Sequence, residues 1–169
     1  STLLSAWESL REPPLLKIAG TGPLEEDVRH AAARSSHIEY LGFASDELVD
    51  RTMKEAAYLA LPSVNYEGFP KTIVEALARG TPVVASRLGA MEEAIEDGVT
   101  GRLFTAGDPA DLASVVGDLQ RNPHATSAMR GPARSAFVER YTPDRNYAIM
   151  TEIYRQALAR RASSRKGGV

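Results

Sequence analysis

The sequence contains no cysteine. That removes disulfide bridges, thiol catalysis and thiolate metal sites, and it fits a reducing compartment. No apolar run approaches the roughly 18 residues that a membrane-spanning helix needs, and no signal peptide is visible. Strong charge is missing too. A formal net charge of -2 and a pI near 5.9 supply no field for holding nucleic acid or an anionic membrane surface. Histidine is scarce: His30, His37 and His124 are dispersed and lack metal-ligand spacing. Ser63 and Ser86 sit at strand ends without the G-x-S-x-G elbow that a hydrolase triad would use. There is no internal repeat.

The 169 residues, 43% of them apolar, suffice to bury one real core. Short apolar runs alternate with amphipathic segments, which predicts strand–helix–strand units and a mostly parallel sheet. Strands are expected at Leu15–Ala19, Ile38–Leu41, Tyr58–Leu61, Pro82–Ala85 and, as a brief edge, Arg102–Phe104. Helices are expected at 1–10, 23–34, 46–55 behind a Ser45 cap, 70–79, 91–96, 108–120, 125–140 and 143–161. The first helix has no strand before it, so one edge or central position of the sheet should stand vacant. Residues 1–161 read as one domain. Residues 162–169 read as a basic, solvated, disordered tail, with Arg160 and Arg161 beside it and Arg165 and Lys166 within it.

The most informative stretch runs from Pro62 through Glu67, Gly68, Phe69, Pro70, Lys71 and Thr72 to Glu75. It leads from the carboxyl end of a strand into the start of a helix, where open α/β sheets place ligands. No Ser, Thr, Asp or Asn stands beside Pro70 to cap that helix, and Pro70 suits the first helical position. Lys71 puts a cation in the first turn, against the macrodipole by about 0.3–1 kcal/mol. A phosphate accepting from the Lys71 and Thr72 amides would resolve both features. A Glu67 side chain folding back over the helix start, with Lys71 in water, would resolve them as well. Glu75 stands about 7–8 Å along the helix axis at 1.5 Å per residue. Glu67 and Glu75 could therefore face one cavity without forming an acid pair. Asp108 and Asp111 read as a helix start. Trp7, Tyr147 and Tyr154 read as packing, and Arg79 and Arg87 as solvated cations with a diphosphate within reach.

The run from Glu67 to Glu75 resembles the E-x7-E signature of the retaining family-4 glycosyltransferases, which have the two-Rossmann-domain GT-B fold. Leu61-Pro62-Ser63 before it and Glu75-Ala76-Leu77-Ala78-Arg79-Gly80-Thr81-Pro82-Val83-Val84-Ala85-Ser86 after it are similar to the family's flanks. So are the glycine turn Ala19-Gly20-Thr21-Gly22-Pro23-Leu24 and the run Glu92-Glu93-Ala94-Ile95 followed by Gly98, Gly101 and Leu103. The resemblance covers nearly the whole chain. It implies a Rossmann-like three-layer sandwich, the C-terminal half of a GT-B fold, lacking its first strand.

The resemblance also implies roles. Glu67 would be catalytic, contacting the donor sugar near the anomeric carbon. Gly68 and Phe69 would line the sugar pocket, Pro70 would belong to the donor site, Lys71 and Thr72 would meet the distal phosphate, and Glu75 would hold the ribose hydroxyls. Gly20, Gly22 and Gly42, in the turn from Tyr40 to Phe43, would bound the nucleotide. The donor would be a UDP- or GDP-sugar, with no cofactor and no metal, and no D-x-D pair argues otherwise. The acceptor, a glycan, lipid or small molecule, would reach the site through an N-terminal domain absent here. No nucleic acid partner is implied. The implied location is cytoplasmic, with peripheral membrane contact an open alternative. Pro70 departs from the glycine common at that position. The family also carries a strand and a Gly-rich loop with an Arg and a Lys before the first helix, so this piece alone is expected to transfer nothing. The terminal helix is expected to leave Tyr147, Ile149, Met150, Ile153 and Tyr154 exposed. Rival readings are a two-domain sugar-nucleotide epimerase and a non-catalytic nucleotide-binding module.

Overall fold

In the computed structural model, residues 1–66 and 68–166 are described, without the side chains of 159 and 161–166. The chain opens with α1 (Thr2–Ser9), whose N-terminus is capped by the Ser1 hydroxyl accepting from the Leu4 amide at 3.5 Å. Trp7, 3% exposed, packs inward while its indole N–H donates to the Pro14 carbonyl at 2.9 Å. That bond fixes how the chain returns into β1 (Leu16–Ala19). Next come α2 (Glu25–Arg34), with three acids in its first turn as the dipole prefers, and β2 (Ile38–Gly42). Then α3 (Asp46–Glu55) begins at a Ser45 cap and leads to β3 (Leu59–Leu61).

The second half alternates α4 (Lys71–Ala78), β4 (Val83–Ser86), α5 (Ala90–Ala94) and β5 (Gly101–Phe104). It ends in α6 (Pro109–Arg121), α7 (Pro123–Ala128), α8 (Arg130–Arg140) and α9 (Pro143–Lys166). All paired strands are parallel, in two groups: β1 with β2, and β3 with β4 and β5. Every residue of β4 is buried, as expected for a strand covered on both faces. Gly101 is required where β5 meets β4, since a Cβ there would fall 2.0 Å from the Val83 carbonyl oxygen.

Two apolar cores lie on opposite faces of these strands. One joins Leu4, Trp7, Leu16, Ala31, Ile38, Val84, Phe104, Leu112 and Val116. The other joins Met53, Ile73, Leu77, Val83, Ala85, Met91, Leu103 and Ala133. Adjacent residues of β4, Val83 and Val84, go to different cores, as strand alternation requires. The result is the expected three-layer α/β sandwich. The expected vacancy is central: a cavity of about 830 Å³ separates β1 from β3, lined by Leu16–Gly20 on one side and Ala57–Leu61 on the other.

Five local expectations are corrected. Pro70 occupies the cap position (φ -77°, ψ 99°) rather than the first helical position, and its carbonyl accepts from the Ile73 amide at 3.0 Å. The single helix expected over 125–140 is two, α7 and α8. Pro132 has no N–H to offer the preceding turn, so the helix restarts around it. Tyr147 and Tyr154 do not pack but stand 76% and 65% exposed on α9. Arg79 is not a free cation: it donates to Asp50 at 2.8 Å and to the Glu75 carbonyl at 2.7 Å. The α9 backbone continues through Lys166, past the expected end at Arg161. Residues 167–169, the rest of the expected tail, lie outside the described residues.

Candidate functional site

The carboxyl ends of β1, β2 and β3 and the start of α4 meet at the upper end of the central cavity. Gly20, Leu41, Phe43, Ala44, Leu61, Thr72 and Glu75 all line it. Three of the sequence-predicted residues, Gly20, Thr72 and Glu75, therefore share one space although they come from different parts of the chain.

Each is held by something definite. Gly20 has φ +116°, a conformation that side-chain-bearing residues rarely adopt, and its amide donates to the Gly42 carbonyl at 2.7 Å. The Tyr40 hydroxyl donates to the Gly20 carbonyl at 2.9 Å. Arg29 lies over the Tyr40 ring at 4.8 Å and donates to Glu25. Desolvation, then the nearby Glu25 carboxylate, raises the Tyr40 phenol above its usual range, so it stays a donor near neutral pH. The Arg29 hydrogen bond in turn lowers the Glu25 carboxyl. This brace fixes the first glycine turn. Gly22 belongs to the same turn, where its carbonyl accepts from the Glu25 amide at 3.0 Å.

Helix α4 is positioned by its buried side. Ile73, Ala76 and Leu77 are fully enclosed, while Lys71, Thr72 and Glu75 lie on the exposed side. No side chain of Pro70 caps the helix, and Lys71 is the charged group of its first turn. Lys71, Gly22, Gly42, Gly68, Phe69 and Pro70 are not among the residues lining the cavity. Phe69 instead leans on Tyr141, with ring centroids 5.8 Å apart and planes tilted by 53°. Glu67, the residue on which the expected chemistry rests, lies outside the described residues.

The sequence reading missed several contacts. Tyr66 lies over Gly89, so close that a Cβ on Gly89 would stand 3.1 Å from the Tyr66 ring. That contact ties the loop before α4 to the start of α5, and Gly89 (φ +52°) is the only local sign of it. Tyr58 lines the cavity with a buried hydroxyl that has no hydrogen-bond partner, and burial pushes its phenol up to about 12. Ser86, at the carboxyl end of β4, also buries an unpartnered hydroxyl. Neither unpartnered hydroxyl was legible, because whether a residue beside a strand is buried depends on elements remote in sequence.

The other candidates have structural partners. Asp108 caps α6, accepting from the amides of Ala110 at 2.9 Å and Asp111 at 3.1 Å, as expected for a helix start. Arg87 pairs with Glu92 and Asp97, each at 3.4 Å. Among the described residues no group of three or more His, Asp or Glu is arranged to hold a metal ion. None of the described helices is long and apolar enough to cross a membrane.

Comparison with known proteins agrees with this architecture. Residues 1–122 match the family model described as "Glycosyl transferases group 1". The chain is 33% identical over 148 residues to the MMP alpha-(1->4)-mannosyltransferase of Mycolicibacterium hassiacum, covering 87% of this chain and 36% of that protein. It is 39% identical over 107 residues to the phosphatidyl-myo-inositol mannosyltransferase of Mycobacterium leprae, covering 63% and 29%. The chain thus spans about a third of the length of these relatives. Among solved structures, Anabaena HepE in complex with UDP superposes with a TM-score of 0.79 at 23% identity, over 90% of this chain and 44% of that one. Sucrose-phosphate synthase of Thermosynechococcus elongatus gives 0.80 at 23% identity, over 94% and 42%.

Proposed function

This chain belongs to the group 1 glycosyl transferases, with half of a GT-B fold, and on that premise we propose that it is the donor-binding half of a larger enzyme. That enzyme transfers a sugar from a nucleotide-diphosphate sugar, UDP- or GDP-linked, to an acceptor with retention at the anomeric carbon. The observation that carries the reading is the start of α4. It has no side-chain cap from Pro70, a cation in its first turn, and Thr72 and Glu75 in the same cavity as Gly20.

The first-turn N–H groups and the helix dipole form an anion site, and the Lys71 ammonium adds a full charge beside it. The departing diphosphate gathers negative charge as the anomeric C–O bond breaks, so these groups act most strongly in the transition state. They supply the charge compensation that a divalent metal would otherwise give. Glu75, one side of the cavity away, accepts from the ribose hydroxyls, for which an ionised carboxylate is a strong acceptor. The glycine turn at Gly20 and Gly22 lets the nucleotide approach the backbone closely, bounded by Gly42 and Phe43. The family resemblance assigns Gly68 and Phe69 to the sugar pocket and assigns Glu67 to the positive charge that develops at the anomeric carbon. HepE, a neighbour of the same fold, is solved in complex with UDP, which supports a nucleotide ligand.

Calorimetry on the purified chain tests the reading, using uridine, UMP, UDP and GDP. UDP or GDP should bind at least about tenfold more tightly than the nucleoside, as charge-assisted hydrogen bonds to phosphate predict. Glu75→Ala should weaken the nucleotide and nucleoside alike. Equal affinity for uridine and UDP would remove the diphosphate from the site. In the full-length parent, Glu67→Ala should abolish transfer and leave donor binding within a few fold.

A further inference from the structure

We propose that Tyr66 and Gly89 form a positioning contact that holds the sugar end of the donor site, separately from the nucleotide end held by α4. What the loop does rests on the donor-binding reading; where the loop is held does not.

The two ends are built differently. Thr72 and Glu75 stand on α4, which Ile73, Ala76 and Leu77 fasten into the second core. Gly20 is fixed by its bond to Gly42 and by the Tyr40 hydroxyl. The segment before α4 has no comparable burial. Its large apolar side chains, Val64, Tyr66 and Phe69, are all more than half exposed. None of them lines the central cavity, so they are not spent on enclosing a ligand there. Each touches a different neighbour instead.

Val64 and Tyr66 both meet glycine turns. Val64 Cγ1 lies 3.8 Å from where a Cβ on Gly107 would stand, and Tyr66 Cδ1 lies 3.1 Å from where one on Gly89 would. Ser63 braces the turn between them. Its hydroxyl accepts from the Asn65 amide at 3.4 Å and donates to the Asn65 carbonyl at 3.3 Å. The segment thus lies across the turns that follow β5 and β4 rather than standing free beyond β3. Farther along, Phe69 leans on Tyr141.

The supports are firm although the contacts are exposed. The Gly89 carbonyl accepts from the Glu92 amide at 3.1 Å and the Glu93 amide at 3.3 Å, which opens α5. Met91 then anchors that helix in the second core at 1% exposure. Gly107 leads into Asp108, the cap of α6. Gly89 has φ +52° and ψ -130°, which calls for glycine by itself. The Tyr66 ring occupies the space that a side chain there would fill. Tyr66 is also the residue joined in sequence to Glu67, Gly68 and Phe69. Holding its ring narrows the backbone freedom of the residues that the family resemblance assigns to the sugar. Because that ring is 81% exposed, its removal leaves both cores intact.

Nitrogen-15 relaxation on the chain tests the contact. Backbone order parameters at Asn65, Tyr66, Gly68 and Phe69 should be about 0.85 and fall below about 0.6 in Tyr66→Ala. The Tm should stay within about 2 °C. Tyr66→Phe should keep the order, and with it the ring-current displacement of the Gly89 Hα resonances, which Tyr66→Ala abolishes. Gly89→Ala should lower the Tm through backbone strain and loosen the same residues, yet add no loosening to Tyr66→Ala. By calorimetry, UDP affinity should change less than about twofold in Tyr66→Ala. Low order in the native chain, unchanged order in Tyr66→Ala, or additive loosening in the double variant would overturn the positioning contact. A loss of UDP affinity of about tenfold or more in Tyr66→Ala would overturn the separation of the two ends. Equal affinity for uridine and UDP would reject the donor-binding reading alone, and the order parameters would still decide the contact.

Discussion

Two helices of this chain begin in opposite ways. Helix α6 starts at Asp108, whose carboxylate caps the first amides, with Pro109 in the first turn and Asp111 accepting from the Thr105 amide at 2.7 Å. Helix α4 starts at Pro70, which caps nothing, and follows it with Lys71. Both helices bury a strong apolar side, so neither start is a by-product of poor packing. Asp108 and Asp111 supply anions at the start of α6, whereas the start of α4 has no side-chain cap from Pro70 and carries a cation in its first turn. On the proposed function, the first terminus is finished by its own sequence and the second by a ligand.

Four experiments would break or sharpen that contrast. Leu77 is fully buried under α4, so Leu77→Ala should cost about 2–5 kcal/mol in denaturant unfolding. Because it loosens the helix as a unit, nucleotide binding should fall with it. Lys71→Glu should separate the two quantities. It suits the helix dipole and should stabilise the free chain by about 0.3–1 kcal/mol, while UDP affinity drops by about two orders of magnitude or more. A variant that bound UDP normally would show that α4 is not an anion site.

Asp108→Ala is the converse. Loss of the cap should cost about 1 kcal/mol in thermal unfolding and leave UDP affinity unchanged. The smallest effect concerns Asp111, whose carboxyl is held below its ordinary value chiefly by the Thr105 backbone hydrogen bond. A depressed carboxyl contributes stability that is present above its unfolded value, near 3.8, and lost as pH falls through the lower folded value. The wild-type advantage over Asp111→Ala should therefore hold at pH 5–7 and shrink below about pH 3.8.

Much of the architecture was legible because its signals are local. The Ser45 cap, the Asp108 cap and the buried run of β4 each show within a few residues, and the structure places all three as expected. Ile149, Met150 and Ile153 of α9 are exposed, as expected for a terminal helix without its partner, but Tyr147 and Tyr154, read also as packing residues, are exposed with them. Pro70 was misplaced by one position because proline suits the end of an extended segment as well as the first turn of a helix. The break at Met129 was missed because the apolar pattern continues through Pro132 and hides it. Arg79 was read as solvated because its partner Asp50 is remote in sequence, and no local rule connects them.

The amino-acid sequence by itself determined the order and kind of the elements, the parallel arrangement they imply, and the E-x7-E run on which the family resemblance stands. Those properties depend on caps, periodicity and spacing, which act over a few turns of chain. Tertiary structure alone decided that the vacancy is central, that Gly20, Thr72 and Glu75 share one cavity, and that Tyr66 lies over Gly89. Each of these depends on which strand edges pair and which remain open, a balance struck between residues far apart in the chain.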